Sequence, residues 1–515
     1  MIKRLFNTSI SRLSTGCPRV MVIAALLLVL GVGQMQAQKQ APMPDSLQLK
    51  NDITISQAIQ ISLANNTQIK RAVLSIENAQ QQVRTAWSQV LPDISATANY
   101  TRNLEVPVNF IPEVVFNPDG DPNNLVPVAF GTDNNWSGGA TVSQTLFNGR
   151  AFVGVSSSKL FKAAQSQNLL ATAQQIVTQT RQAFYQVLIA KEQLRLQRDR
   201  MKRIKQNLED TRKRLEQGFV DEYAVQQLEV QLSNQQPQVT QAEFAVEDAT
   251  NNLLDAMGIP VSLDVGVVGS LNDYHIKNET ASAPENSSLK KVDRMTPLSL
   301  RPDSLLLSKA MELRGDLRAL DTQQKLQNKQ IRAEKSRYLP TITTSYNLQW
   351  TASEAGTPNV FGSEQNRARS QTLMLNVSLP IFQGFSRDAS IQQAKIQLKD
   401  LKLQEYQAKQ STQKQIVVAK GDIREALQTA SAREQALEQA EEGYQRALKR
   451  YQSGLGSQQE VTDAELQLRE AELAYAQMAF SYLMAKAQYD QAIGKVPYVN
   501  QDPSELKNTI ELEQQ

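Results

Sequence analysis

Apolar residues recur at alternating three- and four-residue steps from Ile416 to Ala492. The ingoing run is Ile416, Ala419, Ile423, Ala426, Ala430, Leu437, Ala440, Tyr444, Ala447 and Tyr451, broken only where Arg433 takes an apolar slot. The returning run is Val461, Ala464, Leu468, Ala471, Tyr475, Met478, Tyr482, Ala485, Tyr489 and Ala492, without a break. A 3-4 step held over successive heptads keeps one side of a slightly underwound helix against its partner. Between the runs, Gly454 suits a left-handed helix end and Ser457 suits the cap of the next helix. The pattern predicts a long antiparallel helical hairpin.

That hairpin occurs twice. Val461 corresponds to Val225, 236 residues earlier, and the returning seam reads Val225, Leu228, Leu232, Gln235, Val239, Ala242, Val246, Ala249, Leu253 and Ala256, with Gln235 as a polar intruder. The ingoing seam of the first copy includes Ala183, Val187, Ala190, Leu194, Gln197, Met201, Ile204, Leu208 and Leu215, and its turn is Gly218, Phe219 and Val220. Long internal repeats mean two copies of one unit. Helices of about 67 residues, 151–217 and 387–453, are on the order of 100 Å long at 1.5 Å per residue. They are about twice as long as the returning helices, which suggests that each returning helix is met end to end by the helix leading to the strands.

Each hairpin is preceded by a helix and two alternating segments. The first helix starts near Ser56 and stops at Leu91-Pro92. A strand follows, with Ile94, Ala96, Ala98 and Tyr100 on one face and Ser95, Thr97, Asn99 and Thr101 on the other. A proline-bearing stretch to Asn135 reads as loop, and a second strand runs from Trp136 to Phe147. The second copy restarts near Asp303. It has strands with Ile342, Thr344, Tyr346, Leu348 and Trp350 on one face, then Leu373, Leu375, Val377 and Leu379. Strands of about 10 residues with this alternation suit a membrane barrel, polar inside and apolar outside. They equally suit a soluble sheet with one buried face. Four strands cannot close a barrel, and open edges cannot sit in lipid, so membrane strands would require several chains to share one barrel.

Composition adjusts this picture in a few places. Aromatic residues make up 6% of the 515, which suits narrow helical seams better than a thick core. Lys3, Arg4, Arg12 and Arg19 precede the apolar run from Val20 to Val32, which is too short for an ordinary spanning helix; it reads as a secretory signal removed near Ala37. Without residues 1–37, four of the 55 Lys and Arg go and the formal charge becomes −1, which removes any argument for nucleic-acid binding. Cys17 goes with the signal, so His/Cys zinc sites within one chain are excluded, and the single His275 reads as a solvated loop residue. Asn117, Asp119, Asp121 and Asn123 alternate as in a calcium loop, but Pro122 stands where Gly is required and Val128 where Glu is required. No catalytic constellation or cofactor motif is present, and the chain is read as a non-enzyme. The expected organisation is a signal at 1–37, a first repeat at 38–257, a connector at 258–302, a second repeat at 303–494 and a loose polar tail at 495–515.

The duplicated order of elements, Leu-Pro before a strand, the Phe-x-Gly exit at Phe147 and Phe382, and Gly at each hairpin tip resemble the TolC family of outer-membrane efflux proteins. The resemblance covers about Ser56 to Gly494. It implies a mainly α fold with a membrane β-barrel portion: a homotrimer with a 12-stranded barrel in outer-membrane lipid, continued into the periplasm by an α-helical coiled-coil barrel. It implies a passive exit duct served by a periplasmic adaptor (membrane fusion protein) and an inner-membrane pump. A soluble periplasmic coiled-coil scaffold or adaptor is the alternative. An adaptor would be expected to carry one hairpin in a β-rich carrier, whereas this chain has two, each preceded by paired strands.

The resemblance also implies sites. Tyr451, Glu460 and Asp463 match the family's tyrosine and two acids at a constricted entrance; the acids are three apart and share a helix side. Gly456 stands where the family has an arginine, and Ala224 and Gln227 occupy the acids' places in the first copy. The tips Gly218, Phe219, Val220 and Gly454, Leu455, Gly456 would dock the adaptor. Plainer readings stand beside these: acids in a helix's first turns favour its dipole, and Gly with a following apolar residue is an ordinary C-cap. Pro237 would kink the first returning helix.

Overall fold

The computed structural model describes residues 52–263, 265–271, 303–359 and 364–513. The signal, His275 and most of the connector lie outside them. The first repeat comprises α1 (Ile55–Asn65), α2 (Thr67–Ser88), β1 (Asp93–Arg102), β2 (Val108–Pro112), β3 (Leu125–Ala129), β4 (Asn134–Phe147), α3 (Gly149–Glu216) and α4 (Glu222–Met257). The second comprises α5 (Asp303–Leu313), α6 (Gly315–Lys335), β5 (Thr341–Glu354), β6 (Arg367–Ser378), α7 (Ser386–Gln452) and α8 (Gln458–Ile493), followed by α9 (Pro503–Glu513). The described chain is mainly helical.

The long helices have 68 and 67 residues and the returning helices 36 each. The heptad positions are the packed ones. Tyr444, Tyr451, Val461 and Leu468 form one core cluster with Leu437, Ala440 and Ala447 against it; Leu208, Val225 and Leu228 form another with Leu215 and Leu232. The polar intruders of the first seam bond to each other. Gln235 Nε2 donates to Gln197 Oε1 at 2.8 Å and to the Gln197 carbonyl at 3.1 Å. A buried polar pair in an apolar seam fixes register, because any slip leaves both amides unsatisfied. The α4 helix runs through Pro237 from end to end.

The lead-in helices are broken where single helices were expected, at Asn66 and Arg314. Both breaks receive the end of a returning helix. Asn66 caps α2 by accepting from Gln68 N at 2.9 Å, and its Nδ2 donates to Ala256 O at the end of α4 at 3.0 Å. Arg314 Nη1 reaches Ala492 O, near the end of α8, at 3.3 Å. Gly258 and Gly494, both left-handed, terminate the returning helices; a Cβ on either would lie 2.7 Å from backbone atoms of Asn66 or Arg314. Glycine is required here for close approach as well as conformation. Each returning helix is thus met end to end, α4 by α2 and α8 by α6, along one long helix.

The strands form a sheet in the order β1-β4-β5-β6, antiparallel throughout, with β1 and β6 at the edges. Three strands exceed the expected length, with 14, 14 and 12 residues. The stretch read as loop before Asn135 contains an antiparallel pair, β2 with β3, because Val108–Pro112 and Leu125–Ala129 alternate well enough to pair despite Pro112 and Pro127. The C-terminal segment also differs from expectation. Leu506 and Ile510 of α9 are buried against α1 and α3, Val496 and Val499 are buried ahead of it, and Arg318 Nη1 donates to Gln501 O at 3.1 Å. Two apolar residues one helical turn apart were enough to dock a short amphipathic helix.

Candidate functional site

Both hairpin tips end their ingoing helix the same way. Gly218 N donates to Leu215 O and Phe219 N to Arg214 O, both at 2.9 Å; Gly454 N donates to Tyr451 O at 3.1 Å and Leu455 N to Arg450 O at 2.9 Å. These bonds satisfy orphan carbonyls at the helix end. Asp221 and Ser457 then cap the returning helices. Phe219 and Leu455 remain about three-quarters exposed, Val220 and Gly456 half-buried. The caps are therefore made without burying the apolar side chain that follows each glycine.

Just above the tips the two hairpins of the chain meet at Tyr451, which is 4% exposed. Its hydroxyl and that of Thr211 lie 3.1 Å apart in hydrogen-bond contact. The Arg214 guanidinium stacks 4.8 Å from the Tyr451 ring centroid; Nη1 donates to Tyr451 O at 2.6 Å and Nη2 to Gln452 O. A cation on the last carbonyls of α7 complements the negative end of its dipole. Gly456 supplies no side chain for such a link, and Arg214 of the first hairpin supplies one instead. Nothing in the seam pattern marks Arg214, because its partners are backbone carbonyls of the other repeat.

Glu460 and Asp463 lie on the first turns of α8 and are exposed. Glu460 N donates to the capping Ser457 Oγ at 3.1 Å, and its carboxylate stands 3.8 Å from Arg450 Nε of the same hairpin. Asp463 accepts from Gln459 Nε2 at 2.8 Å. Tyr451 is thus a buried inter-hairpin contact, while the two acids present open carboxylates close by.

A second charged group lies deeper along the hairpins. Glu465 and Glu472, one heptad apart on α8, face Arg200 and Arg203 of α3. Glu465 Oε1 is 3.4 Å from Arg200 Nε and 3.9 Å from Arg203 Nε, and Arg203 Nη2 is 3.4 Å from Glu472 Oε2. The Glu465 side chain is only 8% exposed. Burial pushes both carboxyls above the usual range, against the pull of the arginines. Tyr444, with Arg203 5.8 Å from its ring centroid, is pushed up by burial and by Glu465. A cavity of about 280 Å3 opens beside these groups, lined among others by Arg195, Leu437, Tyr444 and Tyr475. The spacing of Glu465 and Glu472 was visible in sequence. That their stripe faces the other hairpin was not.

At the other end of the molecule, the register aligns the apolar positions of all four strands. Ile94 pairs with Val142, Val142 with Tyr346 and Tyr346 with Leu373; Tyr100 pairs with Trp136 and Trp136 with Ala352. Directly paired residues share a face. One face of the sheet is therefore apolar, and the other carries residues such as Thr141 and Asn347, whose side chains bond at 2.8 Å. Among the described residues no helix is long and apolar enough to cross a membrane.

A sheet apolar on one face, carried on two helical hairpins of this length, defines a protein that joins an amphipathic β portion to a long helical stem. The chain belongs to the outer membrane efflux protein family, whose profile matches residues 58–259 and 306–495. Its place is the outer membrane, and the soluble-scaffold alternative falls away. It is 22% identical over 415 residues to the outer membrane protein TolC of Salmonella enteritidis, covering 79% of this chain and 76% of that one. The fold is shared with the CmeC outer membrane channel of Campylobacter jejuni (TM-score 0.64, 17% identity, 90% of this chain and 89% of that one). It is also shared with the MtrE outer membrane channel of Neisseria gonorrhoeae, solved in its open state (TM-score 0.65, 18% identity, 87% and 90%).

Proposed function

We propose that three copies of this chain close one 12-stranded barrel in the outer membrane, β6 of each copy pairing with β1 of the next, and that their hairpins continue it into the periplasm as a helical duct. The duct is passive. A periplasmic adaptor docks at the tips around Gly218, Phe219 and Val220 and around Gly454, Leu455 and Gly456, and an inner-membrane pump supplies the energy. The observation that carries this reading is the register: it makes one continuous apolar face that ends at two unpaired edges. In lipid such edges must be paired, and strand directions in the order β1-β4-β5-β6 make the β6-to-β1 junction antiparallel.

Tyr451 holds the two hairpins of each copy together near the entrance, and Glu460 and Asp463 line it. Three copies give two stacked acidic rings, which favour cations. In planar bilayers the purified protein is expected to give discrete, cation-preferring conductance steps, and replacing Glu460 and Asp463 together by Ala is expected to weaken that preference. Failure of well-folded protein to insert would overturn the channel reading. Unchanged ion selectivity in the double variant would remove the acids from the entrance. Leu455→Asp is expected to reduce crosslinking of the adaptor to the tips several-fold, since it puts a charge where an apolar contact is needed; full crosslinking would count against docking there.

A further inference from the structure

The two strand-to-helix exits, alike in sequence, are built differently. In the first repeat β4 runs to Phe147, Asn148 caps α3 by accepting from Arg150 N at 3.0 Å and Ala151 N at 3.2 Å, and the helix starts at once. In the second, residues 379–385 form a loop between β6 and α7. Ile381, Phe382 and Phe385 on this loop are 89%, 72% and 78% exposed. The rings of Phe382 and Phe385 meet edge to face at 5.5 Å. Phe385 sits at φ 61°, in the left-handed region that disfavours any residue with a Cβ. The chain accepts that strain in a conformation that leaves an aromatic ring outside.

The loop's backbone is served from within. Arg387, 5% exposed, donates to Pro380 O at 2.9 Å and to Ile381 O at 2.8 Å, and its guanidinium lies 4.5 Å from the Tyr338 ring centroid. Ser386 N donates to Gln383 O at 3.1 Å and Ala389 N to Phe385 O at 3.0 Å. Four of the segment's seven carbonyls are satisfied by protein donors and its large apolar side chains are turned outward, which suits the headgroup boundary of a bilayer, where the remaining backbone groups meet headgroups and water. It also continues the apolar face of β6, whose Leu373, Leu375 and Val377 are exposed. The position corresponding to Arg387 in the first repeat, 236 residues earlier, is Ala151, so the first strand-to-helix exit lacks this arginine.

We infer that residues 379–385 form an apolar wedge that enters the periplasmic leaflet of the outer membrane at the foot of the sheet, with Arg387 as the positioning residue that holds its backbone. The ligand is the boundary between phospholipid headgroups and acyl chains, where aromatic side chains anchor best. The wedge fixes the height of the helical stem against the bilayer. The inference rests on the membrane placement of the sheet.

The experiment places a nitroxide on single cysteines at 375, 382, 385 and 459 in the full chain, in a Cys17→Ser background, reconstituted in phosphatidylethanolamine/phosphatidylglycerol vesicles. Accessibility to oxygen, which partitions into lipid, is compared with accessibility to a water-soluble nickel chelate, and helical circular dichroism confirms folding. Leu375→Cys reports the sheet's apolar face and Gln459→Cys the aqueous tip. Labels at Phe382→Cys and Phe385→Cys are expected to favour oxygen over nickel several-fold, as at 375. Nickel access at 382 and 385 equal to that at 459, with 375 still in lipid, would overturn the wedge alone. Exclusion of both reagents at 382 and 385 would also overturn it, placing the loop against a second copy. Nickel access at 375 as well would overturn the membrane placement of the sheet and the wedge with it. An Arg387→Ala chain is expected to lose the oxygen preference at 382 while keeping it at 375; retention at both would remove Arg387 from the positioning role.

Discussion

Arg203→Ala is expected to destabilise the helical stem by about 3 kcal/mol at pH 8, because it leaves two buried carboxylates without their shared partner. Arg203 faces Glu465 and Glu472 at once, and Arg200, at 3.4 Å, is the other close cation on Glu465. The loss should shrink on acidification. Both carboxyls are already raised above the ordinary value of 4.5 by burial, so the native state takes up protons at a pH where the unfolded chain does not. Stability from such groups is present below 4.5 and is lost as the pH rises through their raised native values. Removing Arg203 raises those values further and steepens the loss. Glu405, held below the usual carboxylate range by Lys409 and Gln324, runs the other way and weakens the fold as the pH falls. The informative quantity is therefore the difference between variant and parent in denaturant unfolding at pH 5 and pH 8. Glu465→Gln is expected to cost less than about 1 kcal/mol at pH 8, since a neutral amide avoids the desolvation penalty. A large loss in Glu465→Gln with none in Arg203→Ala would mean that the carboxylate is stabilised by something other than these arginines.

This pair of variants also marks how far the sequence could be read. The seam was legible because it obeys a local rule. Every third or fourth residue must face the partner helix of its own hairpin, and Ile416, Tyr444, Val461 and Leu468 are buried as that rule requires. The four amphipathic strands were legible for the same reason, with period two in place of three and a half. Contacts between the hairpins follow no such local rule. Arg200, Arg203, Glu465 and Glu472 look like solvated charges in the heptads, and Arg214 looks like a last-turn cation of α3. Their partners lie 240 or more residues away or are backbone carbonyls. The entrance residues carried over by resemblance are close together near the tips, yet they differ in state: Tyr451 is buried between hairpins, and Glu460 and Asp463 are open. The breaks at Asn66 and Arg314 escaped notice because the apolar pattern continues across them. What ends each helix there is the arrival of another helix, a tertiary event.

Gly315→Ala is the second variant with a large expected effect. It opens α6 beside the middle of α3, and a Cβ at this position would lie 2.3 Å from Ala171 N and 2.7 Å from Gln167 O. Those are backbone atoms of a helix held on both sides, so neither can yield cheaply. The surroundings are tied as well. Gln174, 5% exposed, accepts from Gly315 N at 3.1 Å and donates to Leu313 O at 2.8 Å and Gly494 O at 3.0 Å. One amide thus joins the break between α5 and α6 to the end of α8. Pushing α6 away from α3 would stretch these bonds at a buried site, at about 1–3 kcal/mol for each group left unsatisfied. With the overpacking itself at about 1–3 kcal/mol, a total near 3 kcal/mol or more is expected. Gly421 is the control. It too lies inside a long helix, but a Cβ there meets nothing within 4 Å. Gly421→Ala should stabilise α7 by about 0.5–1 kcal/mol through helix propensity alone. Thermal unfolding in detergent, followed by helical circular dichroism, should therefore move in opposite directions for two Gly→Ala substitutions in two helices. Equal gains would mean that α6 can stand off from α3, and the end-to-end junction of α6 with α8 would lose its structural basis.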